Sequence, residues 1–183
     1  TGTLTQGKPT VTDVTVMQNA KGKMQNALVV AGTADAEADE RAMLPFELCL
    51  LHLAASAERG SEHPLGEAIV RAAAERGLTL SRPEQFEAIA GRGISATVDG
   101  QHVLLGTLKL MQERNVDLGE LPNDVARLQS EGKTAMLVAA DGAALGVIAV
   151  ADTVKESSAA AVAALRARGI AVAMLTGDNT RTA

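Results

Sequence analysis

The sequence predicts an α/β chain of the α+β kind: an antiparallel sheet flanked by helices, followed by part of a parallel α/β unit. Three observations predict it. Two amphipathic helical segments run between Leu44 and Gly77 and are interrupted at Gly60; short apolar segments then alternate around the dipeptides Asp99-Gly100 and Asp141-Gly142; and an alanine-rich helix, a glycine and an apolar run lead into Thr176-Gly177-Asp178. Two-residue Asp-Gly turns join antiparallel strands. A helix, a glycine and then a buried strand is instead half of a parallel unit.

Taken in order, Thr1 to about Val16 reads as one strand or loop, with Pro9 near its exit, and Gln18 to Arg41 turns small and polar. Asn19 to Gly22 is an expected turn, and Ala34 to Arg41 a charged connector. Leu44 to Arg59 has helical spacing, with Leu48, Leu51 and Ala55 on one face and Gly60 where a left-handed cap is expected. Ser61 is the expected N-cap of the next helix, Pro64 fits its first turn, and Leu65, Ile69, Ala72 and Ala73 form its buried stripe up to Gly77.

The period then shortens. Phe86–Ile89, Ile94–Val98 and His102–Leu105 read as strands, Leu108–Glu113 and Pro122–Glu131 as helices, and Ala135–Ala140 with Leu145–Val150 as a second hairpin. From Asp152 the pattern changes again. Ser157–Arg168 is an expected helix with Val162 and Leu165 inward, Gly169 its cap, and Ile170–Leu175 a buried strand.

Composition bounds the function. The chain has 183 residues, 46% hydrophobic but 1% aromatic, so its core must be built from Ala, Val, Leu and Ile. A net charge of −5 and a pI near 5.2 argue against a nucleic-acid surface, and no basic cluster suggests an anionic membrane patch. No stretch reaches the roughly 18 to 20 apolar residues of a bilayer helix, and the amino terminus has no signal-peptide pattern. One cysteine, Cys49, excludes an internal disulfide and a Cys-x-x-Cys site, and the six methionines are scattered, so no metal site is expected. Cys49 reads as core, while His52 and His102 read as helix-surface and strand residues.

Ser61-Glu62-His63-Pro64-Leu65 is the most informative segment. It places His63 at the start of a helix, where the helix dipole favours a neutral ring able to stack on or hydrogen-bond a flat ligand. Glu58, just upstream, can accept a hydrogen bond from an exocyclic amine. Gly91 and Gly93 offer backbone that ligand atoms can approach without a Cβ in the way, and Gly106 offers the same. Gly132-Lys133-Thr134 imitates the end of a phosphate-binding loop, but the glycine needed five residues earlier is Arg127; Gly132 is therefore a helix stop.

Ser-Glu-His-Pro-Leu resembles the nucleotide-domain signature of heavy-metal-transporting, type IB P-type ATPases, most closely the copper branch. Gly91-Arg92-Gly93-Ile94 resembles that family's G-x-G-[IV], Gly106 its next glycine, and Thr176-Gly177-Asp178-Asn179 its T-G-D-N. Thr1-Gly2-Thr3-Leu4-Thr5 is similar to the tail of D-K-T-G-T-L-T, whose aspartate is phosphorylated. The resemblance implies that residues 1–16 begin a Rossmann-like, haloacid-dehalogenase-type phosphorylation domain. Residues 17–151 would be the nucleotide-binding domain, and 152–183 the returning, incomplete part of the phosphorylation domain, with Asp152 and Lys155 at the hinge.

By the same resemblance ATP, with Mg2+, is the ligand. Glu58, His63 and Ile94 would hold adenine, and Gly91, Gly93, Gly106 and Thr107 would border the sugar and phosphates; the family has Asn where Thr107 stands. Thr176, Gly177 and Asp178 would be the catalytic remnant, because the aspartate and lysine of the phosphorylation motif and the later G-D-G-x-N-D loop are not in this sequence. The expectation is an excised, monomeric, cytoplasmic piece of an integral membrane pump that binds ATP without hydrolysing it. Its partners would be the remaining phosphorylation, actuator and membrane domains. Three alternatives are a zinc, cadmium or lead pump of the same family, a haloacid-dehalogenase-like phosphatase with residues 17–150 as its cap, and a module for regulatory contact with a neighbouring domain.

Overall fold

The computed structural model describes residues 5–20 and 45–173. Six strands form one antiparallel sheet: β1 (Thr5–Val16), β2 (Glu84–Ile89), β3 (Gly93–Val98), β4 (Gln101–Gly106), β5 (Thr134–Ala140) and β6 (Ala143–Val154), in the order β1-β6-β5-β4-β3-β2. The helices are α1 (Phe46–Glu58), α2 (Pro64–Glu75), α3 (Leu108–Glu113), α4 (Leu121–Ser130) and α5 (Glu156–Ala167), and a 3-10 turn covers Gln18–Ala20.

Both Asp-Gly turns form as their chemistry requires. Asp99 and Gly100 take φ 49° and 78°, and Asp141 and Gly142 take 48° and 76°, so both central residues of each turn are left-handed, the twist that matches flanking antiparallel strands. The second hairpin is longer than its apolar run, because β6 extends to Val154 alongside β1. Thr5–Val16 is the edge strand here. Its bulge between Thr5 and Pro9 is held by Asp152, whose carboxylate accepts the N–H groups of Gly7 at 3.1 Å and Lys8 at 3.3 Å. Lys133 Nζ also joins β1 to the other strands through Asp13, at 2.8 Å.

The pleat sends alternate residues into two cores. Ile94, Ala96, Val98, Val103, Leu105, Met136, Val138 and Ile148 meet α1 and α2 on one face. Leu104, Leu137, Ala139, Val147 and Ala149 meet α3, α4 and Val116 on the other. The helical pair covers one face, as its stripe predicts, and the second face is covered as well. Both cores are almost wholly aliphatic, with Leu50, Leu51, Ile69, Leu105, Leu110 and Leu128 among the fully buried side chains.

Several expectations change. Gly60 is not left-handed; α1 ends with Arg59 in the right-handed region, and Gly60 instead makes room for Phe86, whose ring lies 3.5 Å from where a Cβ on Gly60 would stand. His52 is 8% exposed, so it is buried and not a helix-surface residue: α1 is packed on more than one side, and all ten of its residues from Cys49 to Glu58 are buried. Leu165 is 40% exposed and Val162 only half-buried, so the inward stripe of α5 has no core beneath it among the described residues. The strand expected over 170–175 is absent from its described part: residues 170–173 have no strand beside them, and Ile170 is 49% exposed. The turn expected at 19–22 is described only to Ala20, and the connector at 34–41 lies outside the described residues.

Candidate nucleotide site

The site is built around the junction of α1 and α2. Glu58 is the last residue of α1, and its backbone carbonyl accepts the N–H of Ser61 at 2.8 Å, which closes the turn between the helices. The Ser61 hydroxyl accepts the N–H of His63 at 3.2 Å. The N-cap is His63, not Ser61: the ring nitrogen Nδ1 accepts the N–H of Leu65 at 3.2 Å, and Pro64 occupies the first helical position. The shift follows from the backbone, since His63 at φ −80° and ψ 135° is still extended, and the residue before a proline is driven away from helical angles. Capping through Nδ1 puts the proton of a neutral ring on Nε2, so the exposed edge of His63 is a hydrogen-bond donor.

Beneath this turn lies Glu58, 5% exposed, with Oε2 buried and without a hydrogen-bond partner. Burial pushes its carboxyl above the usual carboxylate range, while the Ser61 hydroxyl and the proximity of His63 oppose the shift. Its oxygens accept hydrogen bonds, and a proton held on the carboxyl would add one donor. Gly66, in the first turn of α2, is part of the same packing: a Cβ there would collide with Glu58 Oε2 and lie 3.1 Å from Ser61 Oγ.

The second half of the site is where β3 begins and β4 ends. Gly93 pairs with Gly106, and Ile94 with Leu105. Gly91 takes φ 67° with open space around it, and Gly93 takes φ 146°, a value that L side chains rarely adopt. The backbones of Gly93 and Gly106 approach so closely that a Cβ on Gly93 would strike the Leu105 carbonyl, and one on Gly106 would strike the Arg92 carbonyl. The N–H of Thr107 donates to that Arg92 carbonyl at 2.7 Å, so the glycine loop and the start of α3 form one unit. Thr107 is the N-cap of α3, its Oγ1 accepting the N–H of Leu110 at 3.3 Å.

Ile94 is 5% exposed and belongs to the core that also contains α1 and α2. Packing of α1 on β3 and β4 therefore joins the two halves. Thr176, Gly177 and Asp178 lie outside the described residues, as do Thr1 to Leu4. Sequence reasoning missed Gly66, the contact of Phe86 with Gly60 and the ion pair of Arg92 with Glu113. Gly66 left a signal: a glycine inside an otherwise regular helix, two residues after its proline, is costly unless something needs the space.

A hollow lined by Val11, Asp13, Glu47, Leu51 and Arg76 lies between β1 and α1; at about 130 Å³ it is smaller than the usual ligand pocket, and it shares no residue with the candidate set. His102 and Ser95 hydrogen-bond to one another at 2.9 Å, across β3 and β4. Among the described residues no group of three or more His, Cys, Asp or Glu is placed to hold a metal ion, and no helix is long and apolar enough to cross a membrane.

Residues 1–183 match the family model of haloacid dehalogenase-like hydrolases, and the chain belongs to that family. Within it, the chain is similar over its full length to the copper-exporting P-type ATPase of Bacillus subtilis, at 43% identity over 187 residues, and to that of Staphylococcus aureus, at 41% over 184. It spans about one fifth of those relatives, 20% and 19% of their lengths. A crystal structure of a zinc-transporting PIB-type ATPase superposes on the whole chain with a TM-score of 0.70 at 34% identity, the chain covering 25% of it. The N-domain of a copper-transporting P-type ATPase shares the fold over 79% of this chain and 99% of its own, with a TM-score of 0.54 at 22% identity.

Proposed function

We propose that this chain is the ATP-binding portion of a copper-exporting P-type ATPase, which presents ATP for phosphorylation of an aspartate carried by the same pump. The observation that carries the reading is the unpaired, buried Oε2 of Glu58 beneath a turn capped by His63. A buried polar atom without a partner costs about 1–3 kcal/mol, and an adenine amine would satisfy it. In this reading residues 17–151 are the nucleotide-binding domain, while 1–16 and 152–183 lead from and back to the phosphorylation domain, with β1 pairing to β6 at the edge of the sheet.

Glu58, His63 and Ile94 contact the base. Gly91, Gly93, Gly106 and Thr107 border the sugar and phosphates, with the close glycine backbones leaving one open edge at Gly91. Thr176, Gly177 and Asp178 belong with the phosphorylated aspartate. Magnesium arrives with the nucleotide in this reading, as the counter-ion of its phosphates. The rest of the phosphorylation domain, the actuator and the membrane helices are the partners, and the portion described here lies on the cytoplasmic side.

Copper is favoured by the full-length similarity to copper exporters; zinc transport is the second reading, supported by the zinc-transporting structure at 34% identity. Titration of ATP against the amide spectrum is expected to shift residues 58–66 and 90–107. Shifts confined elsewhere would refute the assignment, and release of phosphate from simple esters by the purified chain would favour a phosphatase.

A further inference from the structure

Glu58, His63, Gly91, Gly93, Ile94, Gly106 and Thr107 suit a ligand with a polyphosphate, yet none of them carries a fixed positive charge. A triphosphate brings several negative charges to a chain whose own net charge is −5, so a nearby cation is needed to hold it. Arg92 stands between the two loop glycines. Its N–H donates to the Ile89 carbonyl at 2.9 Å and its carbonyl accepts the N–H of Thr107 at 2.7 Å, so the point from which its side chain leaves the loop is fixed. The guanidinium is paired with the carboxylate of Glu113, at the end of α3. Both side chains are partly exposed, at 41% and 40%, and such a pair is readily exchanged. Arg59 is otherwise engaged, its Nη1 donating to the Leu80 carbonyl at 3.1 Å.

We propose that Arg92 is a phosphate-binding residue of this site and that Glu113 is its resident counter-ion, displaced when the phosphates of a nucleotide arrive. The proposal rests on the nucleotide reading above. A guanidinium accepts carboxylate and phosphate oxygens with the same forked geometry, so the exchange conserves hydrogen bonds and substitutes a more highly charged partner. The effect of Glu113 distinguishes this from a purely structural clamp. Cutting a clamp that shapes the loop weakens binding; removing a competitor strengthens it.

The test is calorimetric titration of the 183-residue chain with ATP and AMP, with adenosine followed by amide shifts at millimolar concentration. Arg92→Gln is expected to weaken ATP about fivefold to tenfold and to leave adenosine within about twofold, as for loss of one charge-assisted contact to phosphate. Glu113→Gln is expected to tighten ATP about twofold, on the scale of an exposed ion pair, and Lys109→Gln to leave it nearly unchanged. Equal weakening of ATP and adenosine by Arg92→Gln, weaker ATP binding by Glu113→Gln, or an equal loss with Lys109→Gln each overturns the proposal. If the unsubstituted chain binds ATP and Arg92→Gln binds it equally well, this inference alone falls. If the unsubstituted chain binds neither ATP nor adenosine, the nucleotide reading falls with it.

Discussion

The carboxylate of Glu58 occupies the space that any side chain on Gly66 would need. The end of α1 and the first turn of α2 are thereby locked together by one buried acid and one missing Cβ. The Ser61–Leu65 turn is anchored beside this contact, with the N–H of Ser61 donating to the Glu58 carbonyl and the N–H of His63 to the Ser61 hydroxyl.

Gly66→Ala should lower stability by about 1–3 kcal/mol, the usual cost of overpacking a filled interior. Urea melts of Gly66→Ala, Glu58→Ala and the double variant check the cause. The double variant is expected to be more stable than the sum of the two losses, because removing the Glu58 carboxylate vacates the space. Strict additivity would mean that the strain lies elsewhere.

Glu58 gives a pH signature. Its carboxyl is raised by burial, so the folded state holds a proton more tightly than the unfolded chain does. The stability it contributes is fully present below the unfolded carboxyl pKa of about 4.3 and is lost as pH rises through the folded value. Glu58→Gln cannot ionise, so its melting temperature relative to the unsubstituted chain should rise between pH 4 and pH 7. A difference that stays constant across that range, measured by thermal melts, contradicts a perturbed Glu58.

The two roles of His63 can be separated. Asn keeps a side-chain oxygen that can cap α2 but removes the ring, whereas Ala removes both. His63→Asn is expected to keep nearly full stability and to weaken ATP binding, while His63→Ala should also lose about 1 kcal/mol from the missing cap. Calorimetry of binding together with thermal melts reads both effects. Retention of ATP affinity in His63→Asn would make the residue purely structural.

Gly106→Ala should disable the second half of the site. A Cβ there meets the Arg92 carbonyl and comes within 2.8 Å of Leu110 Cδ2, so the glycine loop and α3 must separate. Gly91→Ala differs, since its Cβ would meet open space and only the positive φ, 67°, is strained. The expected order of melting temperatures is unsubstituted chain, Gly91→Ala, then Gly106→Ala; a reversed order would show that the close approach of Gly93 and Gly106 is not maintained in solution.

Much of the fold was legible because local chemistry decides it. Asp99-Gly100 and Asp141-Gly142 supply left-handed turn residues at low cost, and α3 over Leu108–Glu113 follows from its apolar spacing. The candidate residues were legible from the Ser61–Leu65 and Gly91–Ile94 segments. Their partners were not: Gly60 meets Phe86 and Arg92 meets Glu113 across 26 and 21 residues of chain, and no local period records such a pairing. The apolar run at 170–173 misled because periodicity reports what a segment could bury, not whether a sheet lies beside it.

By itself the sequence determined the hairpins, the helical pair and the chemistry offered at the candidate site, since turn preference, apolar spacing and side-chain type are properties of short segments. Only the tertiary structure decided that both faces of the sheet are covered, that His63 and not Ser61 caps α2, and that Glu58 is buried with an unpaired oxygen. Those three depend on which distant surfaces exclude water from one another. Burial raises the Glu58 carboxyl, and burial exists only once α2 is packed over α1.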